Sequence, residues 1–242
     1  MIKLSDRLNS VFDLIPEAAS VADIGCDHGY LSIALVQSRK AQRVIAMDIN
    51  KGPVEAATEH VKLYGLEDSI LIRRSDGLDK LSDGEAEVIV ICGMGGALMQ
   101  RIMLKHIDMC QTAKCLVVEP QSEIADFRRF LCAESFVIEE ESMCVEENKY
   151  YPIMRISYKP DDSRLKLDDA QLKYGPCLIH NKPRGLMAWI NKDEAEYLRI
   201  KSELEQRIES MDETQSNPIR LRIQELEHDL ETIRRAREAM GR

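Results

Sequence analysis

Residues 21–31 read VADIGCDHGYL, and the fold is decided there. Val21, Ala22 and Ile24 are the apolar part of a short buried strand. Asp23-Ile24-Gly25-Cys26-Asp27-His28-Gly29 then turns sharply, and Tyr30 to Val36 (YLSIALV) opens a helix. A strand, a glycine turn and a helix start make a cradle for a nucleoside. Glycine lets backbone and ligand approach closely, and the exposed N–H groups of the first helical turn point at it.

Two templates compete for this turn. The dinucleotide fingerprint G-x-G-x-x-G needs a second and third glycine, which Asp27 and Tyr30 replace. The pattern (D/E)-x-G-x-G-x-G fits better, with Asp23, Gly25 and Gly29 in place and Asp27 standing for one glycine. That is the form that holds S-adenosylmethionine (SAM), which has no diphosphate to cradle. An acid in the turn suits a ligand that carries an ammonium and a sulfonium. Asp23, Gly25, Cys26, Asp27, His28 and Gly29 are therefore candidate cofactor contacts.

Working outward, the chain alternates. MIKLSDRLNSVFDLIPEAA has Leu4, Leu8, Val11, Phe12 and Ile15 at helical spacing, with Ser5 as a cap and Pro16 as a stop. Gln42–Asp48 (QRVIAMD) is a second strand. Asp48 lies 23 residues past Gly25, where an acid at a strand end accepts hydrogen bonds from ribose hydroxyls. Ile49 follows it as a further contact; the plainer role for Asp48 is to cap the helix that runs from Pro53 to Gly65. SILIR at 69–73 is a third strand, and the Asp76-Gly77 step after it offers a carboxylate to an adenine amino group, or is simply a turn. Glu85–Cys92 is a buried strand ending in Cys92-Gly93-Met94-Gly95-Gly96, whose glycines let substrate meet backbone. A helix (ALMQRIMLKHI), a strand (AKCLVVE) ended by Pro120, and a helix from Ile124 to Leu131 come next. Ser135–Ile138 and Tyr150–Tyr158 close the series, with EEESMCVEENK between or partly within them.

This order predicts an α/β fold: a parallel sheet with helices on both faces and a last strand running antiparallel, the class I Rossmann-like methyltransferase arrangement. Asp23, Gly25, Asp48, Asp76 and Gly93 all fall at strand carboxyl ends, where such sheets bind ligands. KPDDSRLKLDD at 159–169 is a polar linker, which sets a boundary between residues 1–160 and 161–242. Beyond it, Ile190, Tyr197, Leu204 and Met211 recur every seven residues, beside Ile208, on a helix from Leu186 to Met211. Asn217-Pro218 breaks the chain. Ile219, Ile223, Leu226, Leu230, Ile233 and Met240 then repeat at four and three, as in an α-helical coiled-coil hairpin. Its Arg220, Arg222, Arg234, Arg235 and Arg237 read as a face for RNA or, more simply, as a solvated face balanced by Glu225, Glu227, Asp229 and Glu231.

The bulk properties exclude several classes. Seven cysteines lie scattered at 26, 92, 110, 115, 132, 144 and 177 without a C-x-x-C pair, which fits reduced thiols and neither a disulfide frame nor a zinc site. No apolar run reaches membrane-spanning length, and MIKLSDRLNSVF lacks a signal-peptide core, so a soluble, cytoplasmic protein is expected, with no membrane and no metal. The net charge of −9 gives no general pull toward nucleic acid. It is concentrated early: residues before Lys159 hold 17 basic and 25 acidic side chains, those from Lys159 onward 16 and 17.

Together, LSDRLNSV at 4–11, VADIGCDHGYL, AMDIN at 46–50, Asp76-Gly77, ICGMGG at 91–96, FRRFL, KYYPIMRISY and Lys173-Tyr174-Gly175-Pro176 resemble the TrmK family, bacterial tRNA methyltransferases acting on N1 of adenosine 22. The resemblance covers essentially the whole chain. It departs after the fifth strand, where Glu119-Pro120-Gln121 stands in place of a sequence like Gln-Pro-Asn. It implies SAM as cofactor, tRNA as partner and a target base withdrawn from its stack. Adenine N1 has an available lone pair, so the enzyme's work is orientation and electrostatics. Asp27, His28 and Tyr30 are the catalytic candidates on that basis: Asp27 for positive charge, His28 for hydrogen bonding, Tyr30 for stacking. Cys92 and Met94 line the pocket, and direct transfer needs no nucleophilic thiol. Arg7, Arg73, Arg74, Arg101, Lys105, Arg128 and Arg129 are candidate phosphate contacts. A monomer is expected. Other readings are a SAM-dependent methyltransferase of another RNA or a small molecule, an NAD-dependent dehydrogenase, and a non-enzymatic RNA-binding or scaffold protein.

Overall fold

The computed structural model describes residues 2–208 and 213–241, and of residues 213–215 the backbone only. Two compact units divide between Lys166 and Leu167. The first holds α1 (Asp6–Leu14), β1 (Ala18–Ile24), α2 (Tyr30–Gln37), β2 (Ala41–Asp48), α3 (Lys51–Leu63), β3 (Ile70–Arg74), β4 (Val88–Met94), α4 (Gly96–Lys105), α5 (Ile107–Thr112), β5 (Cys115–Pro120), α6 (Ile124–Ala133), β6 (Phe136–Glu146) and β7 (Lys149–Tyr158). A short 3₁₀ turn at Ser163–Leu165 packs on β6.

The sheet order is β3-β2-β1-β4-β5-β7-β6. The first five strands are parallel, and β7 runs antiparallel to both β5 and β6. The runs Val44–Met47, Val88–Ile91 and Leu116–Val118 are buried throughout, as strands covered on both faces must be. The register levels their ends. Ile24 stands beside Met47 and Ile91, and Cys92 beside Glu119, so the segments that follow these strands emerge along one rim. Between Cys92 and Met94 the register slips, a bulge that pushes Gly93 out of the ladder at that rim. Ser5 caps α1 by accepting from the Leu8 amide.

Three elements differ from the sequence pattern. The helix after the Gly93–Gly96 turn stops at Lys105, and α5 follows as a separate piece; His106 leaves helical geometry between them, at φ −131°. β6 runs unbroken to Glu146, and Glu147 and Asn148, both at positive φ, make a two-residue turn into β7. Its acids are neutralised rather than looped out: Glu139 by Lys159 and Arg164, Glu141 by Arg128.

Arg128 is therefore not a phosphate contact. Its side chain is fully buried and its Nη2 and Nε donate to Glu141 Oε1 at 2.8 and 3.1 Å, tying α6 to β6. Others of the proposed contacts are engaged within the protein, though an exposed pair such as that of Arg129 is weak. Arg73 is paired with Glu85 and donates to the Lys80 carbonyl, and Arg129 is paired with Asp126.

The second unit, from Leu167, contains α7 (Asp169–Tyr174), α8 (Pro176–Asn181), α9 (Leu186–Ile208) and α10 (Glu213–Gly241). α9 and α10 pack together, and α10 also packs on α7 and α8, so the described residues of this unit form four helices where the pattern showed two. Pro218 lies inside α10, near its start, rather than breaking the chain. Met211, the last expected position of the first heptad series, lies outside the described residues. Lys173-Tyr174-Gly175-Pro176 acts as a clasp. Lys173 donates to Tyr197 and to Asp229, both at 2.8 Å, and buried Tyr174 donates to Asp193 at 3.0 Å. Gly175 then ends α7 and Pro176 starts α8. Arg222, Arg234 and Arg235 pair with Glu225, Glu231 and Glu238 on their own helix, and Arg237 with Glu194, which is the solvated, balanced face.

The Arg128–Glu141 pair yields a test. Arg128→Met leaves a buried carboxylate without its cation and should destabilise the first unit by about 3–5 kcal/mol; Arg128→Met with Glu141→Leu should recover most of that loss. Urea denaturation of the two variants measures both effects.

Candidate active site

The rim of the sheet opens into a cavity of about 320 Å³, all within the first unit. Its wall is built from four strand ends and from α1, which brings Arg7 and Leu8. From β1 and its turn come Asp23, Gly25, Cys26, Asp27 and His28, with Tyr30 at the start of α2. Asp48 comes from β2, Cys92, Gly93 and Met94 from β4, and Glu119 and Gln121 from the end of β5 and its loop.

The turn owes its shape to backbone sign. Gly25, Asp27 and Gly29 have φ of +77°, +49° and +73°, so alternate residues lie in the left-handed region. For glycine this is easy; for Asp27 it is strain held at the cavity. Gly29 also sits against α3, where an added Cβ would meet Ala57 Cβ at 3.2 Å. The Gly25 and Cys26 amides both donate to the Met47 carbonyl, at 2.8 and 3.0 Å. Asp48 accepts from the Asn50 amide at 2.8 Å and more weakly from the Asp27 amide at 3.4 Å, so it ties two loops together and each of its oxygens keeps a lone pair for a ligand. It does not cap α3: Asn50 occupies that position.

Two buried acids face this cavity. Asp23 is 1% exposed; its Oδ2 accepts from the Ser32 hydroxyl at 2.6 Å and its Oδ1 has no partner. Burial raises its carboxyl to about 6; the Ser32 hydrogen bond opposes the rise and Asp48 adds to it. Glu119 is also 1% exposed. Its Oε2 accepts from the Gly93 amide at 2.8 Å and from Arg7 Nη1 at 3.4 Å, while Oε1 has no partner. Burial raises this carboxyl too, against the pull of the Gly93 amide and Arg7. Arg7 is thus part of the wall, held also near Glu146 and over the Tyr151 ring. Burial pushes the Cys26 and Cys92 thiols up, away from nucleophilic thiolate. At the mouth, half-exposed His28 stacks on Tyr30, and Tyr30 on His60, with centroids 5.6 and 5.0 Å apart. The His60 Nδ1–H donates to the His28 carbonyl at 2.9 Å.

The expected contacts divide. Gly29, Ile49, Asp76, Gly77 and Gly95 do not line this cavity. Gly29 caps α2 and Gly95 caps α4. Ile49 is half exposed and its carbonyl accepts from Arg74 Nε. Asp76 lines a second, smaller cavity of about 200 Å³ with Arg101 and Lys105, and Gly77 is buried near Ile102. Lys105 pairs with Asp79. Glu119, Gln121 and His60 enter the site without having been assigned to it. For Glu119 the signal was present in the sequence, as an acid ending the apolar run CLVV.

Comparisons with known proteins agree with this geometry. A family model for a methyltransferase domain matches residues 4–154. The tRNA (adenine(22)-N(1))-methyltransferase of Bacillus subtilis is 37% identical over 153 residues, 63% of this chain and 64% of that protein. The solved structure of the B. subtilis m1A22 tRNA methyltransferase TrmK superposes with a TM-score of 0.83 at 30% identity, covering 98% of this chain and 99% of that one. The chain belongs to the TrmK family. Another TrmK, from M. capricolum and solved with S-adenosyl-homocysteine, has a TM-score of 0.75 at 25% identity over 95% of this chain and 99% of its own. The sequence alignment spans just under two thirds of the curated B. subtilis relative; the structural likeness to TrmK takes in both units of this chain.

The unpartnered Asp23 oxygen has a measurable cost. A carboxyl raised to about 6 in the fold binds a proton there more readily than in the unfolded chain. The penalty is absent at pH below about 4 and complete above about 6, so stability contributed by this site falls as pH rises through that window. Asp23→Asn should therefore stabilise the ligand-free protein by about 1–3 kcal/mol at pH 8 and change it little at pH 4. Thermal denaturation at the two pH values reads the difference.

Proposed function

We propose that this chain is a SAM-dependent methyltransferase that methylates N1 of adenosine 22 in tRNA. The observation that carries the reading is the single cavity that collects Asp23, Gly25, Asp48 and Gly93 from β1, β2 and β4. The near end-to-end likeness to TrmK supports the substrate.

The residues present suit the cofactor. The lone pairs left on Asp48 face a ribose, whose hydroxyls are donors. The Asp23 oxygen without a partner faces the one ligand group, an ammonium, that repays a buried carboxylate. Gly25 and Gly93 leave room for close approach, and Met94 and Leu31 give apolar wall. SAM, when bound, supplies a methyl group on a sulfonium sulfur, an electrophile with an excellent leaving group. The chain's own part is to fix angle and distance. Asp27, at positive φ and lining the cavity, has an exposed carboxylate that would meet the positive charge of the ligand. Tyr30, clustered with His28 and His60 at centroid distances of 5.0 to 5.9 Å, is the ring that would stack on an extruded base. Among the described residues no helix is long and apolar enough to cross a membrane, and no group of three or more His, Cys, Asp or Glu side chains is placed to hold a metal. We place the activity in the cytoplasm, where tRNA is, with arginines outside the wall, Arg74 and Arg101 among them, as phosphate contacts.

Calorimetry with SAM and with NAD, followed by methylation of tRNA transcripts bearing adenosine or guanosine at position 22, tests the reading. SAM should bind and NAD should not, and only the adenosine transcript should gain an N1-methyl group by mass spectrometry. Asp48→Ala should weaken SAM binding about 10-fold or more, the loss of a charged hydrogen-bond acceptor. Binding of NAD, or equal methylation of both transcripts, would remove the proposal.

A further inference from the structure

Four acids line the cavity, and with Asp27 set toward the charge of the methyl donor, only Glu119 is left without a part of that ligand to meet. Asp48 and Asp23 answer a ribose and an ammonium. Glu119 stands farther along the rim, at the end of β5, with Oε2 occupied by the Gly93 amide and Arg7 and Oε1 bare. A buried carboxylate oxygen with no donor is costly and calls for one from a ligand. The strand order says which ligand. Neighbouring strands lie about 4.8 Å apart, and β5 is three strands from β2. With the ribose at β2 and the ammonium at β1, the acceptor base arrives over β4 and β5, beside Glu119.

We propose that Glu119 recognises the exocyclic N6 amino group of the target adenine, its Oε1 accepting the N6–H. This rests on the reading above, that the chain methylates adenine N1. In that reaction the N1 lone pair forms the N–C bond as the C–S bond breaks, and the electron pair of the broken bond stays on sulfur. Positive charge leaves sulfur and spreads over N1, C6 and N6 of the adenine. The N6–H becomes a stronger donor as the charge arrives, so its bond to Glu119 is tighter in the transition state than before it. Guanine presents O6 at the same place, acceptor against acceptor, and carries a hydrogen on N1. Arg7 is then a positioning residue: it holds Oε2 and leaves Oε1 facing the base.

The test uses two tRNA transcripts, with adenosine or purine riboside at position 22. Purine riboside keeps the ring and N1 but lacks the amino group. The ratio of kcat/KM for the two is measured for the wild type, Glu119→Leu and Glu119→Gln, and the affinity for each transcript is measured by calorimetry without a methyl donor. From wild type to Glu119→Leu the adenosine preference should fall about 10-fold or more, the intrinsic difference between the bases cancelling. The wild type should also bind the adenosine transcript more tightly, and Glu119→Leu should bind the two alike. Glu119→Gln, which keeps an acceptor oxygen, should retain part of the preference. Should Glu119→Leu fail to fold, Glu119→Asp, with its carboxylate withdrawn by one methylene, carries the same expectation. Equal ratios in wild type and variant, with adenosine still methylated, overturn the role of Glu119 and leave the activity standing. Methylation of neither transcript by the wild type overturns the activity itself.

Discussion

The site depends on one carbonyl oxygen. Met47 accepts from the amides of both Gly25 and Cys26, at the level where the β1–β2 ladder would otherwise continue. Two donors converging on one acceptor force the chain out of the strand. The left-handed residues that follow, Gly25, Asp27 and Gly29, complete the turn and hand it to α2. The same geometry fixes Asp48, the next residue along β2, whose carboxylate receives the Asp27 amide. A side chain at Gly25 would bring a Cβ within 2.5 Å of Met94 Cε as well as opposing the backbone sign. β1 and β2 are thus locked at their ends by backbone bonds, while Asp23 keeps one oxygen without a partner at the same rim.

Much of this was legible because strand ends and glycines leave marks at fixed spacing. The apolar runs around Ile45, Ile89 and Val117 announce strands buried on both faces, and each is followed by a glycine, an acid or both. What was not legible depends on partners distant in the chain. Nothing local distinguishes Arg128 from Arg129, yet one is buried against Glu141 on another element and the other is exposed beside Asp126. The start of β6 was legible at Ser135–Ile138, but its length was not, because its acids look like a loop until Lys159 and Arg164 are placed beside Glu139. α7 and α8 are six residues each, too short for a helical period to show. The second unit's heptads were clear, but the clasp of Lys173 and Tyr174 on α9 and α10 was not.

Asp23 and Glu119 show how the cavity is set for cationic chemistry. Each is buried, each has one oxygen held and one bare, and each is raised by its surroundings. Such acids lower the stability of the ligand-free protein and bind positive charge in return, the usual exchange of stability for function at a site. Burial pushes the thiols of Cys26 and Cys92 up, which keeps these two side chains from acting as thiolate nucleophiles in the wall.

The place of β7 has a consequence for biosynthesis. It is the last strand made, yet it lies inside the sheet, between β5 and β6. Until Tyr158 has left the ribosome, the outer edge of β5 has no partner, and β6 has nothing to pair with. A chain stopped anywhere before that point carries an open apolar edge, Leu116-Val117-Val118, the kind that recruits other chains. Assembly of the first unit therefore finishes in one late insertion, and a nascent chain must be kept from its neighbours until that strand arrives.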